Sequence, residues 1–443
     1  MARFDYTKTM MMKLFMARPD GKGGSAVECN FERAMEIVRQ ADALTLGAPK
    51  IIYLVGWQYN GHDDKYPDFT EVNPALKRPG DASALESMLW LMDEAKKYNT
   101  VISVHINLTD AYDNSPLMPE YRKNNALIRD RKGRPAAIEH YNGLPCYKIS
   151  YQEEWESGLF HKRIQMLFDL LPLKAAGTVH VDNFQCYVNR KPKVDIKTMQ
   201  AYRKKMIAAF AENGVDVTSE FTYREGPLTV LLYGKVVRDL LWRLYPVDTL
   251  GQLPAIWWVD KLKRREIYRV YPNQYAGGVL KGPYGKILYG NLHGEELWRF
   301  NEGDPDAWHK EFLRQFAAYN IPYFYLSTLQ KEKLAGRGGR VRMRYTDGTV
   351  SHAREGKIAK NGVVMKTGDD LFLPVTFLEN SRIAYSKNGC KRLWRMEPGG
   401  YTEAKLSEIT ALGLRPAGEV DIKDNALELD IAPGQAFLVK LKK

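Results

Sequence analysis

Apolar positions along the first three quarters of the chain follow two alternating rhythms. Short runs dense in apolar and β-branched residues recur at 11–17, 50–56 (KIIYLVG), 100–108 (TVISVHINL), 177–184 (GTVHVDNF), 214–221 (GVDVTSEF), 255–259, 286–291 and 322–326. Consecutive apolar positions of this kind read as strands buried on both faces. Between most of them lie stretches with helical spacing, at 31–44, 83–97, 155–171, 196–212, 228–244 and 306–319. Strand and helix in alternation predict a parallel sheet, and eight such units predict a closed (β/α)8 barrel. The rival is a doubly wound open sheet. That fold usually carries a Gly-rich phosphate turn after its first strand, and none is present here.

After residue 328 the grammar changes. Turn signals crowd in at Asp347-Gly348, Asn361-Gly362, Asn388-Gly389, Gly399-Gly400 and Pro433-Gly434, with short alternating runs such as 370–375 and 436–441 between them. Asn-Gly and Asp-Gly between short runs are hairpin signals. The expected organisation is therefore an α/β barrel over 1–328 and an antiparallel β-sandwich domain over 329–443.

Composition narrows the picture. The chain has 443 residues, 44% hydrophobic and 27% charged, which excludes a disordered, collagenous or disulfide-scaffolded protein. No run of eighteen apolar residues occurs. The apolar stretch 9–17 is interrupted by Lys13 and runs into Arg18-Pro19-Asp20, which fits a core strand better than a signal peptide. The chain thus reads as cytoplasmic, or as secreted if an export signal precedes it. Cys29, Cys146, Cys186 and Cys390 are far apart with no CxxC pair, and free thiols are expected. The net charge is +12, but the basic residues are spread along the chain, so neither nucleic acid nor a membrane is an expected partner.

In a barrel, working residues lie at the C-terminal ends of strands and on the loops that follow. Here those positions hold Trp57, His62, Asp63 and Asp64 after the second strand, and His105, Asn107 and Asp110 on the third. Asp182 ends the fourth strand, and Glu220 with Tyr223 follows the fifth. Carboxylates and aromatics suit sugars. A glycosidase needs one carboxylate at the anomeric carbon and a second carboxyl to protonate the leaving oxygen. Asp182 and Glu220, on neighbouring strands, are the candidate pair; a strand-end carboxylate standing alone would read as a salt bridge or helix cap. Trp57 is a candidate platform for the sugar's C–H face, and Asp63 or Asp64 for its hydroxyls. A metal enzyme is the weaker reading, because the eight histidines form no HxH or HxxxH pair. No cofactor is expected for the chemistry, and a structural calcium in the acidic loops stays open. No GxSxG elbow or P-loop is present.

The stretches GWQYNGHDDKYPDFTEVNPALKRPGD (56–81), EAKKYNTVISVHINLTDAYDNSP (94–116), ISYQEEWESG (149–158) and AGTVHVDNF (176–184) resemble the catalytic barrel of glycoside hydrolase family 101. These are endo-α-N-acetylgalactosaminidases, which release Gal-β1,3-GalNAc from serine or threonine of mucin-type O-glycoproteins. The resemblance implies a retaining mechanism with Asp182 as nucleophile and Glu220 as acid/base, and it places the hydroxyl-gripping acid within His62-Asp63-Asp64, with Asp64 favoured. His105, Trp57 and Tyr223 complete the expected sugar contacts. Where the family's lid is tryptophan-rich, this chain offers Tyr141, Tyr147 and Tyr151. An exo-acting intracellular α-N-acetylgalactosaminidase and a catalytically silent sugar-binding homologue are the alternatives.

Overall fold

Two strands, β1 (Met10–Phe15, MMMKLF) and β2 (Lys50–Val55, KIIYLV), are buried at every position, as parallel strands covered on both faces must be. The one charge in β2, Lys50, is tolerated because its ammonium lies 2.6 Å from the Asp42 carboxylate and 2.6 Å from the Ala48 carbonyl. The computed structural model of the protein describes residues 3–5, 8–182, 184–219, 292–293, 303–336 and 338–443. Its parallel sheet continues through β3 (Thr100–Asn107), β4 (Thr178–Asp182), β5 (Asp216–Ser219) and β6 (Leu292–His293). The strand order is β5-β4-β3-β2-β1-β6. Sequential neighbours with a late strand returning beside the first is the order of a (β/α)8 barrel, and a doubly wound sheet would reverse partway.

Helices on the outside follow their caps. In α1 (Phe31–Leu44) the Asn30 side chain accepts from Arg33 N–H, and Phe31, Ala34, Met35, Val38 and Ala41 form the buried stripe. α2 (Ala84–Glu94) is capped by Ser83, and Glu86 reaches back to the Ala82 N–H at 2.6 Å. The short α3 (Tyr151–Glu156) leads into α4 (Leu159–Leu170), and α5 (Ile196–Glu212) starts at the Asp195 cap.

The expected strand at 322–326 is a helix. α6 (Trp308–Gln315) runs through a π turn over Phe316–Asn320 directly into α7 (Ile321–Ser327), where Pro322 occupies the first turn. A five-residue apolar run cannot separate buried strand from buried helix by period, and proline in a first turn is a helix-start signal. The described strand beside β1 is instead β6. The expected strands at 255–259 and 286–291 and helix at 228–244 lie outside the described residues.

From Lys331 the chain is antiparallel. β7 (Lys331–Ala335), β8 (Arg342–Tyr345), β9 (Thr349–His352), β10 (Lys357–Lys360), β11 (Val363–Thr367), β12 (Asp370–Pro374) and β13 (Ser381–Tyr385) pair as a meander. The remaining strands are β14 (Cys390–Arg395), β15 (Glu403–Thr410), β16 (Gly413–Asp421), β17 (Ala426–Ile431) and β18 (Ala436–Lys442). The ten-stranded sheet is completed in the order β13-β18-β15-β16, while β14 and β17 form a separate pair. A second apolar core lies between these layers, with Phe372 and Val439 from the large sheet and Trp394 and Leu427 from the small one. Among the described residues, no helix is long and apolar enough to cross a membrane.

Candidate active site

Register brings the site together. His105 of β3 pairs with His180 of β4, and two residues on, Asn107 pairs with Asp182. With a side-chain period of two, all four point to the same face, into the barrel. His105 stacks on His180 and meets His62 edge-on, with ring centroids 5.4 Å from each. Its Nε2 lies 3.9 Å from Asp182 Oδ1, beyond hydrogen-bond reach but close enough for charge to matter.

Asn107 fixes the other oxygen. Its Oδ1 accepts from the Thr109 and Asp110 N–H groups, both at 2.8 Å, so the amide can point only one way. Nδ2 then donates to Asp110 Oδ2 at 2.8 Å and reaches Asp182 Oδ2 at 3.4 Å. Asp110 is itself held by Lys148 at 2.7 Å. Burial alone would lower the pKa of the Lys148 ammonium, but the Asp110 carboxylate outweighs it and keeps lysine charged. From below, buried Arg163 donates to the Asn107 and Leu108 carbonyls at 3.4 and 3.0 Å, and its Nε meets Glu154 at 2.8 Å. Asp182 therefore ends a strand whose neighbour is anchored on both sides.

The loop after β2 supplies the facing wall. Gly56 and Gly61 lie directly on the backbone of Ala17: a Cβ at either would sit 2.0 or 2.5 Å from the Ala17 carbonyl oxygen. The His62 N–H donates to that same oxygen at 2.9 Å. Pinned there, the turn adopts left-handed backbone at Tyr59, Asp63 and Lys65, at φ 46, 58 and 56°. His62, Asp63 and Asp182 each offer a donor atom within 4.8 Å of the others.

Asp64, favoured from sequence as the sugar's hydroxyl grip, is placed otherwise. It is buried, accepting from Asn114 Nδ2 at 2.7 Å and the Asn60 N–H at 3.2 Å, and serves the loop. Asp63 takes the place beside Asp182, because left-handed backbone at Asp63 turns successive side chains in directions no periodicity foretells. Trp57 is not an open platform. It is completely buried, stacked on Phe69 at 6.4 Å, with its indole N–H donating to the His105 carbonyl at 3.0 Å. A tryptophan with its N–H satisfied inside the protein is a core residue. Glu220 and Tyr223 lie outside the described residues; the β4–β5 ladder is described as far as Val181 beside Ser219.

Two phenols near the cluster escaped the sequence reading. Tyr66 is fully buried, with its hydroxyl beside the Gln58 side chain and the Asp63 backbone. Burial, then the charges of Asp63 and Asp182, push its pKa well above that of ordinary tyrosine. Tyr112, 6.1 Å away between ring centroids, is likewise buried, with its hydroxyl beside the Cys146 thiol. Their signal was weak, since both sit in loops where no apolar period marks direction.

His62, Asp63 and Asp182 could hold a divalent cation by donor type. The acidic loop after β3 is balanced from within the protein, Asp110 by Lys148 and Asp113 by Arg122 at 2.5 Å.

Comparison with known proteins follows the same lines. The sequence profile of the endo-α-N-acetylgalactosaminidase family matches residues 12–227. No curated protein matches the sequence. Among solved structures, the ligand-free α-N-acetylgalactosaminidase NagBb of Bifidobacterium bifidum superposes with a TM-score of 0.51 at 13% identity, over 80% of this chain and 57% of that one. The same enzyme in its GalNAc complex gives 0.50 at 13%, over 80% and 57%. The present chain thus spans little more than half the length of that neighbour, and the likeness is one of fold. Residues 12–227, which carry the His62–Asp63 turn, the Asn107 anchor and Asp182, match the glycoside hydrolase family 101 domain model.

Proposed function

We propose that the protein is a retaining α-N-acetylgalactosaminidase acting on mucin-type O-glycans, with release of Gal-β1,3-GalNAc from serine or threonine as the favoured reaction. The observation that carries this reading is the seating of Asp182 at a barrel strand end, held by Asn107 and facing His62 and Asp63. In the first step an Asp182 oxygen attacks the anomeric carbon while Glu220 gives its proton to the departing serine or threonine oxygen. In the second, Glu220 takes a proton from water, the water oxygen attacks the same carbon, and the Asp182 ester bond breaks. Two inversions leave the α-anomer. Asp63 and His62 grip sugar hydroxyls beside the nucleophile. Both steps use only the two carboxyl groups and water.

The test is hydrolysis of aryl α-GalNAc and of aryl α-linked Gal-β1,3-GalNAc, followed by proton NMR before mutarotation and repeated after chelation with EDTA. Release of intact disaccharide as the α-anomer, unchanged by EDTA, is expected. Release from the monosaccharide substrate alone would assign exo action. A β-configured first product would overturn the mechanism, and binding without turnover would leave a sugar-binding homologue.

A further inference from the structure

After β3 the chain forms a hairpin, Ala137–Tyr141 paired with Leu144–Lys148. Its base and its tip reach opposite walls of the site. At the base, Lys148 holds Asp110, and through it the Asn107 amide that faces Asp182. At the tip, Asn142 reaches across to the loop after β2. Its Nδ2 lies 3.1 Å from the His62 carbonyl and 3.1 Å from the Asp63 carbonyl. A side-chain amide nitrogen carries two N–H bonds, one for each.

The segment that Asn142 grips is disfavoured by its own backbone. Asp63 is left-handed, between left-handed Tyr59 and Lys65, and none of the three is glycine. Left-handed backbone is disfavoured for L-residues, strongly for Tyr59 and Lys65 and less for Asp63, and such positions gather at functional sites. Ala17 holds the turn from one side, through the His62 N–H. We propose that Asn142 is a positioning residue: by engaging the two carbonyls from the other side, it keeps the His62–Asp63 turn in the conformation that sets Asp63 beside Asp182. The catalytic consequence rests on the function proposed above; the structural one does not.

Asn142 is solvent-exposed and stands in the left-handed region itself, at φ 51°. An exposed turn residue with no such task tolerates replacement. The variants must keep its backbone, so the choice is Asn142→Gly and Asn142→Asp, both at ease with positive φ and neither able to donate to a carbonyl. Hydrogen exchange on the full chain, read on peptides covering 59–66, reports the turn whether or not the protein turns over substrate. Loss of two hydrogen bonds should speed exchange there about tenfold or more in both variants, with exchange across 137–148 and the melting temperature unmoved. On an aryl α-GalNAc substrate, kcat/KM should fall about tenfold, as expected when an aligned group is loosened.

Unchanged exchange at 59–66 overturns the proposal. So does faster exchange with full activity, since the turn's conformation would then not matter to catalysis. Faster exchange throughout 137–148 in both variants also overturns it, because the hairpin rather than the amide would be at fault. A wild-type protein that hydrolyses no α-GalNAc substrate defeats the functional reading alone, and the exchange measurement still decides the role of Asn142.

Discussion

The barrel and the C-terminal sheet solve opposite problems with the same kind of element. β1 and β2 are buried at every position, whereas β8 alternates exposed and buried residues and β17 nearly does so. A fully buried strand has no wet face on which to put polar groups, so its polar residues appear in the interior and must find partners there. They do so near the strand ends: His105 and Asn107 of β3, with Asp110, Lys148, Arg163 and Glu154 from the elements around them, are all buried and joined through hydrogen bonds, ion pairs and ring contacts around Asp182. In the C-terminal sheet the core around Phe372, Trp394 and Val439 is apolar. Polarity concentrated where it is hardest to accommodate marks the working end of the molecule, and a dry core marks support.

If this contrast is right, the two regions should fail in different currencies. The largest effect is expected from Asp182→Asn, which on the proposed mechanism removes the covalent route and should cost ~10⁴-fold or more in turnover while leaving thermal unfolding almost unmoved. Retained activity in steady-state assays would place the nucleophile elsewhere. The converse is Trp394→Ala. This indole is buried, with the Phe372 ring 5.9 Å away and the Arg392 guanidinium 4.3 Å from its ring centre. Its loss should destabilise by ~3–5 kcal/mol in urea unfolding, with kcat per folded molecule unchanged. A matching fall in kcat would break the comparison, because the sheet would then be shaping the site.

The smallest effect sharpens the same line. Cys29, Cys146 and Cys186 are buried in the barrel region, and Cys390 is half-buried in the C-terminal sheet. Burial pushes the Cys29 and Cys146 thiols up to about 12, so at pH 8 almost no thiolate is present; Cys390 is raised as well but is more accessible. With a thiol reagent on the native protein, Cys390 should react first and the other three only as the barrel opens. Early labelling of Cys29 would show that the barrel opens below global unfolding.

Much of this was readable in advance where the physics is local. The runs at 50–56, 100–108 and 177–184 announced β2, β3 and β4 because continuous apolar residues of strand length have few other uses, and α1 spans the expected 31–44. The position of Asp182 at the end of β4 was legible in the same run. Three things were not readable. The run at 322–326 is too short for its period to tell helix from strand, and only Pro322 hinted at α7. The choice between Asp63 and Asp64 depends on a left-handed residue that reverses which side chain faces inward. The burial of Trp57 depends on Phe69, twelve residues on and across a loop, a contact no local pattern encodes.

Gly56 and Gly61 bear on how this site can vary. A methyl group at either would collide with the Ala17 carbonyl, and that carbonyl is backbone, which no rotamer change can move aside. The two positions are thus closed to all but one amino acid for a reason that involves no reactivity. A survey of acids, bases and nucleophiles would pass over both, yet any lineage altering them would displace His62 and Asp63 together. What is heritable in this centre is therefore partly an absence of atoms: room left empty so that one stretch of main chain can rest on another.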